Sequence, residues 1–405
     1  MQIILPEKIR SIISVLNRAG FAAHAVGGCV RDALMGKQPQ DWDITTSARP
    51  EDVKKLFENT FDTGLKHGTV TVIFEGQPCE VTTWRVDLDY SDHRHPGQVR
   101  FTDSLEADLA RRDFTINAMA YHPDEGIIDP FGGLEDIGKK LIRSVGDPAS
   151  RFGEDALRML RAIRFSAQLG FEIEGRTYEA IKSLHGDIAY VSFERIRAEL
   201  DRIMSSDHPE KLALVWDTRL SDHIFPGIPE FPEICRRACR AQHAGKGPVF
   251  ILGSLFYGAF RRDREKHAEN LLRRLKYDNR TVSDVKNVLS AAEILTAPTG
   301  RNTRIACLRF GTKAAGMAAN ILSLAGSPHD AGIPAVDISL ISEPQPLSIS
   351  GADLIRRGIG KGREIGAIIS ILQLCLCENP LLNDADTLLS ISEELSGKIR
   401  RFSLL

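Results

Sequence analysis

Residues 27–43 read GGCVRDALMGKQPQDWD, and the organisation of the chain follows from them. The glycine pair comes straight after the apolar run 21–26, a helical pattern opens near Cys29, and the stretch closes on Asp41-Trp42-Asp43-Ile44. The spacing predicts a strand, a tight turn, a helix and a second strand. Adjacent glycines let the backbone approach a ligand with no Cβ in the way, and a helix starting behind them directs unpaired N–H groups at it. That suits an anion, and a phosphate best. Asp41 and Asp43 are two apart, so on a strand they share a face while Trp42 takes the other. Paired hard carboxylates suit Mg²⁺, which phosphoryl-transfer sites hold by one or two carboxylates plus substrate phosphates. Two such ions roughly 3.5–4 Å apart would clamp the attacking and leaving oxygens. A lone GG is usually a turn and a lone DxD a solvated strand edge. Their combination, with Arg31 and Asp32 between them, is what points to chemistry.

GGxVRDxLxG followed by DxD resembles the signature of the class II nucleotidyltransferases, the family of bacterial tRNA nucleotidyltransferases (CCA-adding enzymes) and bacterial poly(A) polymerases. The resemblance implies an α+β chain: an N-terminal, polymerase-β-like nucleotidyltransferase head with a small mixed sheet, then an all-α neck, body and tail. The expected divisions are 1–140, 141–204, 205–300 and 301–405. RRDFTINAM at 111–119 and DPFGG at 129–133 match further family blocks. Arg111 and Arg112 offer planar donors to phosphate, or pair with the acidic stretch before them.

A helix expected from about Phe152 carries GEDALRMLRAIRFSAQLGF. Asp155 and Arg158, three apart, are neighbours on such a helix, where the ordinary outcome is an intrahelical ion pair. Their chemistry also fits a base, since a carboxylate accepts from an exocyclic amine and a guanidinium donates to ring acceptors. Cytosine and adenine carry that amine; uracil and guanine place a carbonyl there. The resemblance implies that EDxxR, here Glu154, Asp155 and Arg158, is an amino-acid template, and that Arg161 and Arg164 belong to nucleotide binding. One base cannot reach all of these, so Arg161 and Arg164 are expected on sugar or phosphate, or orienting the aspartate. SFERIR at 192–197 resembles the next block and is read as a structural buttress.

At 405 residues, two to four domains are expected. No run approaches the ~20 apolar residues that span a bilayer, and residues 1–20 read as an amphipathic helix rather than a signal. Seven scattered cysteines favour a reducing, cytoplasmic setting. Cys235 and Cys239, one turn apart with no second pair, read as buried thiols rather than zinc ligands. The net charge of −2 conceals an uneven distribution: 231–310 holds 16 Lys/Arg against 7 Asp/Glu, an excess of +9 that leaves −11 elsewhere. A basic helical region beside an acidic head suits a polyanion partner.

Elsewhere the patterns predict a helix over 50–57, a strand over 69–74 and a hairpin partner over 79–85 across 75–78. Glu80 is then a third carboxylate near the metal, or a solvated strand residue. The polar stretch 86–109 reads as a long loop, and the resemblance assigns it to the switch from adding C to adding A. It has full length here, with His95 before Pro96 where the family often has Arg. The isolated His329-Asp330 pair reads as a loop cap. The expected reaction is transfer of CMP and AMP from CTP and ATP to the tRNA 3′ end. Asp41 and Asp43 hold Mg²⁺; Gly27, Gly28, Arg31 and Arg112 hold the nucleotide; and Glu154, Asp155 and Arg158 choose the base. DTGLKHGTVTVI at 62–73 favours the CCA-adding subgroup over poly(A) polymerase. An A-adding specialist and a non-catalytic RNA-binding protein on the same scaffold are the other readings.

Overall fold

In EKIRSIISVLNR, Ile9, Ile12, Ile13 and Leu16 recur at helical spacing, and these are the buried residues of α1 (Glu7–Arg18). The computed structural model describes residues 3–64, 67–88, 98–241, 247–325 and 341–402. The chain divides into two compact units, Met1–Glu230 and Phe231–Leu405.

In the first unit α1 leads to β1 (Ala23–Val26), α2 (Gly28–Leu34), β2 (Asp43–Thr46) and α3 (Pro50–Leu56). The strand β3 (Thr60–Gly64), which no sequence pattern suggested, precedes β4 (Thr69–Phe74) and β5 (Gln77–Thr83). The β4–β5 turn has only two central residues, Glu75 and Gly76, with φ of 50° and 75°. Two left-handed residues make the turn whose twist matches a hairpin, so pairing resumes at Gln77 instead of the expected Cys79. The stretch expected as one long loop is structured at both ends. There β6 (Arg85–Leu88) pairs with β7 (Gln98–Phe101), and α4 (Leu105–Ala110) is capped by the Ser104 hydroxyl. His95 and Pro96 lie outside the described residues.

A short 3₁₀ turn (Thr115–Asn117) then leads to β8 (Ala120–His122), β9 (Gly126–Ile128) and α5 (Gly133–Lys139). The DPFGG block closes this part because the Asp129 carboxylate accepts from the first α5 amides, Gly133 N at 2.7 Å and Leu134 N at 2.8 Å. The sheet order is β3-β4-β5-β2-β1-β8-β9, antiparallel except for β2 beside β5. Alternation sorts its faces. Ala23, Ala25, Ile44, Cys79 and Val81 join the α1 residues in one core. Val26 packs on the other side with Leu109, Ala118 and Val145.

Beyond α5 the unit is helical apart from a two-residue ladder, β10 (Leu141–Ile142) with β11 (Glu172–Ile173). The single helix expected from Phe152 is two, α6 (Pro148–Glu154) and α7 (Leu157–Leu169), broken at Asp155 with φ −144° and ψ 103°. Next come α8 (Gly175–Leu184), α9 (Phe193–Met204), which packs against α7, and the short α10 (Leu214–Asp217) and α11 (Ser221–Ile224).

The described part of the second unit is helical: α12 (Glu233–Arg240), α13 (Pro248–Ala259), α14 (Arg264–Arg274), α15 (Asn279–Leu295), α16 (Gly300–Ala325), α17 (Gly351–Arg356), α18 (Arg363–Glu378) and α19 (Ala385–Phe402). α13 is apolar nearly all round and buried accordingly. Cys235 and Cys239 are buried, and all seven cysteines are free thiols. His329 and Asp330 lie outside the described residues. Among the described residues no helix is long and apolar enough to cross a membrane.

Candidate active site

Gly27 joins β1 to α2 at φ 86° and ψ −135°, a conformation that glycine alone adopts readily and that costs an L side chain about 1–3 kcal/mol. A Cβ there would also stand 3.0 Å from Arg112 Nη1, whereas one on Gly28 would meet Arg31 Nη2 at an ordinary 3.6 Å. Gly27 is therefore the glycine the turn requires. α2 has only seven residues, so charged side chains rather than a long helix dipole must carry most of any attraction for an anion.

Asp43 opens β2, with Val26 opposite on β1 and Glu80 opposite on β5. Asp41 precedes the strand in a bend, but the exposed-buried-exposed sequence of Asp41, Trp42 and Asp43 keeps the expected alternation. Desolvation raises Asp43 above the usual carboxylate range. Glu80 and Asp41 push the same way, and Arg112 opposes them. Asp41, Asp43 and Glu80 line one cavity of about 480 Å³. Cys79 shares that cavity, but burial pushes its thiol up to about 12, so it stays protonated and is no metal ligand. The donor set is thus hard oxygen in a field of repelling carboxylates, which fits a divalent cation. Among the described residues no three His, Cys, Asp or Glu converge as a ready cage, so Glu80 does not complete a protein-only triad.

Asp43 also lines a neighbouring cavity of about 430 Å³. Six guanidiniums border it (Arg31, Arg111, Arg112, Arg158, Arg161, Arg195) against three carboxylates (Asp43, Asp113, Asp155), a local excess of positive charge. Arg31 donates from Nε to Asp32 at 2.8 Å and from Nη1 to Asn117 Oδ1 at 2.5 Å. Arg111 and Arg112 both turn to Asp108, at 2.9 and 3.4 Å. The alternative reading of these two, pairing with the preceding acidic stretch, therefore holds together with the cavity-lining one. Burial pulls Arg112 below the usual guanidinium range, and its Nε is a buried donor with no acceptor among the described residues.

The stretch expected to read the base is arranged differently from expectation. Asp155 lies outside the helices, where its Oδ1 accepts from Leu157 N at 3.1 Å. Its partner is Arg195, forty residues on, at 2.7 Å and 3.3 Å, and not Arg158. Arg158 pairs with Glu154 at 2.6 Å and donates to the carbonyls of Arg151 and Arg111 at 3.1 and 3.0 Å. Arg161 grips Asp113 at 2.5 and 2.8 Å. Burial would raise Asp113, yet Arg161 holds it down at about 2. Arg164 and Glu154 do not line the cavity. Arg164 is buried 2.8 Å from Glu199 and 3.9 Å over the Phe165 ring, and burial pulls it down to about 10. Sequence reasoning took Arg195 as structural and gave no role to Asp113, Asn117 or Phe165, all of which line the cavity. Asp113 and Asn117 lie four apart, with Asn117 Nδ2 donating to Asp113 at 3.3 Å, so that part was open to a closer reading. Nothing local marks Arg195.

A family model described as the poly A polymerase head domain matches residues 23–143, and one described as "Probable RNA and SrmB- binding site of polymerase A" matches 170–231. The chain is 35% identical over 394 residues to the CCA-adding enzyme of Pediococcus pentosaceus, covering 96% of this chain and 98% of that protein. With that of Geobacillus thermodenitrificans it shares 49% identity over 233 residues, 57% of each. The solved structure of the Bacillus stearothermophilus CCA-adding enzyme in complex with CTP aligns at a TM-score of 0.75 and 29% identity, covering 98% of this chain and all of that one. An end-to-end match at such identity, on a head that carries the turn, the paired carboxylates and the guanidinium wall, places this chain among the CCA-adding enzymes, nucleotidyltransferases of class II.

Proposed function

We propose that this chain adds CMP and AMP from CTP and ATP to the 3′ end of tRNA without a nucleic-acid template, building and repairing a CCA end. The observation that carries the reading is the cavity beside Gly27, where guanidiniums outnumber carboxylates and Asp43 stands at the junction with the carboxylate-lined cavity. Arg31 and Arg112, with the backbone of Gly27 and Gly28, take the triphosphate. Asp41 and Asp43 would hold the divalent ion, which we take to be Mg²⁺. When bound, it lowers the pKa of the attacking ribose hydroxyl and offsets charge on the leaving pyrophosphate.

Base choice falls to Asp155 and Arg158. Asp155 accepts three hydrogen bonds from protein, which leaves one of about four lone-pair sites for an exocyclic amine. Uracil and guanine would set a carbonyl against that carboxylate. Glu154 holds Arg158 in place. Arg161 orients Asp113, and Arg164 with Glu199 braces Phe165 from behind. We assign 1–140 to the catalytic head, 141–204 to the neck that reads the base, and 205–300 and 301–405 to body and tail. The basic helices between 231 and 310 would meet RNA backbone in a cytoplasmic enzyme.

The test offers each labelled nucleotide separately to tRNA lacking CCA, tRNA ending in CC, and complete tRNA. CTP on the first, one ATP on the second and arrest on the third are expected. A long A tail would make this a poly(A) polymerase, ATP use confined to CC ends an A-adding specialist, and no incorporation an RNA-binding protein.

A further inference from the structure

Asp108 is 0% exposed and lines neither cavity of the site, yet it holds two of the guanidiniums that line one of them. It accepts from Arg111 Nε at 2.9 Å, Arg112 Nη2 at 3.4 Å, Thr45 Oγ1 at 3.2 Å and the Arg85 amide at 3.3 Å. Thr45 is two residues beyond Asp43 on β2 and shares its face. A carboxylate so buried stays ionised only if paired. Here burial works against ionisation, and Arg111 and Arg112 more than offset it. Conversely, two adjacent guanidiniums would repel each other and splay apart without a carboxylate between them. One carboxylate shared by two guanidiniums holds both at fixed positions beside the cavity.

We infer that Asp108 is a positioning residue for the triphosphate: it fixes Arg111 and Arg112 relative to the strand that carries Asp43, and governs nucleotide affinity without touching the nucleotide. The inference rests on the reading of the guanidinium-lined cavity as the nucleotide site. A residue that merely stabilised the fold would affect all ligands and all steps together. Asp108 should instead act on the polyphosphate alone.

The test uses the full chain and inorganic tripolyphosphate, which carries the charge without a base. In Asp108→Asn the KM for CTP and for ATP, and the inhibition constant of tripolyphosphate, should rise together by ~10–100-fold. The KM for tRNA and the preference for CTP over UTP should not change. In a background carrying both Arg111→Met and Arg112→Met the same substitution should cost less than ~3-fold, because its effect is transmitted through those two guanidiniums. An undiminished cost there, or equal losses for tRNA and tripolyphosphate, overturns the inference. If the thermal melt shows Asp108→Asn unfolded, Thr45→Val, which removes one donor and leaves the charge, should raise the tripolyphosphate constant ~2–5-fold with an unchanged melt. Constants equal to wild type overturn it. Wild-type protein that incorporates no nucleotide would instead sink the proposed function, and calorimetric binding of tripolyphosphate would still decide the role of Asp108.

Discussion

The two sides of the 430 Å³ cavity are built on different principles. On the Gly27 side, Arg111 and Arg112 share the carboxylate of Asp108, and a buried Arg112 Nε finds no acceptor among the described residues. On the neck side, each guanidinium that lines the cavity is clamped by a separate carboxylate: Arg158 on Glu154, which Arg151 outside the cavity also grips, Arg161 on Asp113, and Arg195 on Asp155. Excess charge attracts a polyanion whatever its base. Neutralised pairs contribute little net attraction but fix where donors and acceptors point, and direction is what separates an amine from a carbonyl. On the proposed function, one wall would serve affinity and the other choice.

The sharpest way to break this division is to remove the chemistry and keep both walls. Asp43→Asn should lower single-turnover incorporation by ~10³-fold or more while tripolyphosphate inhibition stays within ~3-fold of wild type. If inhibition falls with turnover, Asp43 belongs to the affinity wall. The walls themselves separate with Arg195→Met. Loss of the clamp frees Asp155 to turn, so the preference for CTP over UTP should fall by ~10–100-fold with tripolyphosphate affinity unchanged. Unchanged selectivity would mean that Asp155 is held by Leu157 N alone. Gly27→Ala does the reverse. The left-handed φ and the 3.0 Å approach to Arg112 should raise KM for CTP and ATP alike by ~10-fold, with the preference for CTP over UTP unchanged.

The same division explains what the sequence made visible. The Gly27 side is written locally: a glycine that must adopt φ 86°, an aspartate whose face follows from strand alternation, and arginines three and four residues after Asp108. The register that puts Glu80 beside Asp43 needed only the β5 assignment. The neck side depends on partners 48 and 40 residues apart, Arg161 with Asp113 and Arg195 with Asp155. Gly153, a poor helix former, and Asp155, a residue favoured at helix starts, only hint at a break in GEDALRML. The break arises because the Asp155 carboxylate takes the Leu157 amide and a guanidinium from another helix. β3 and the β6–β7 ribbon escaped notice because their segments, TFDTG and QVRF, are short and mostly polar and gain pairing only from neighbours.

The smallest effect tests whether a neck-side pair stabilises the fold as well as directing it. Asp113 is held at about 2 in the folded protein, against roughly 3.9 for a free aspartate. A depressed carboxylate contributes stability that is complete above its unfolded value and is lost as pH falls through the folded one. The window is therefore pH ~4 down to ~2, and the contribution above it is about 2–3 kcal/mol. All three tryptophans, Trp42, Trp84 and Trp216, lie in the unit that contains the pair, so urea unfolding followed by their fluorescence reports on that unit alone. Asp113→Asn should be less stable than wild type at neutral pH and should approach it as the pH drops through this window. A gap that stays constant down to pH 2 would mean that Asp113 stabilises by shape, and that Arg161 does not depend on its charge.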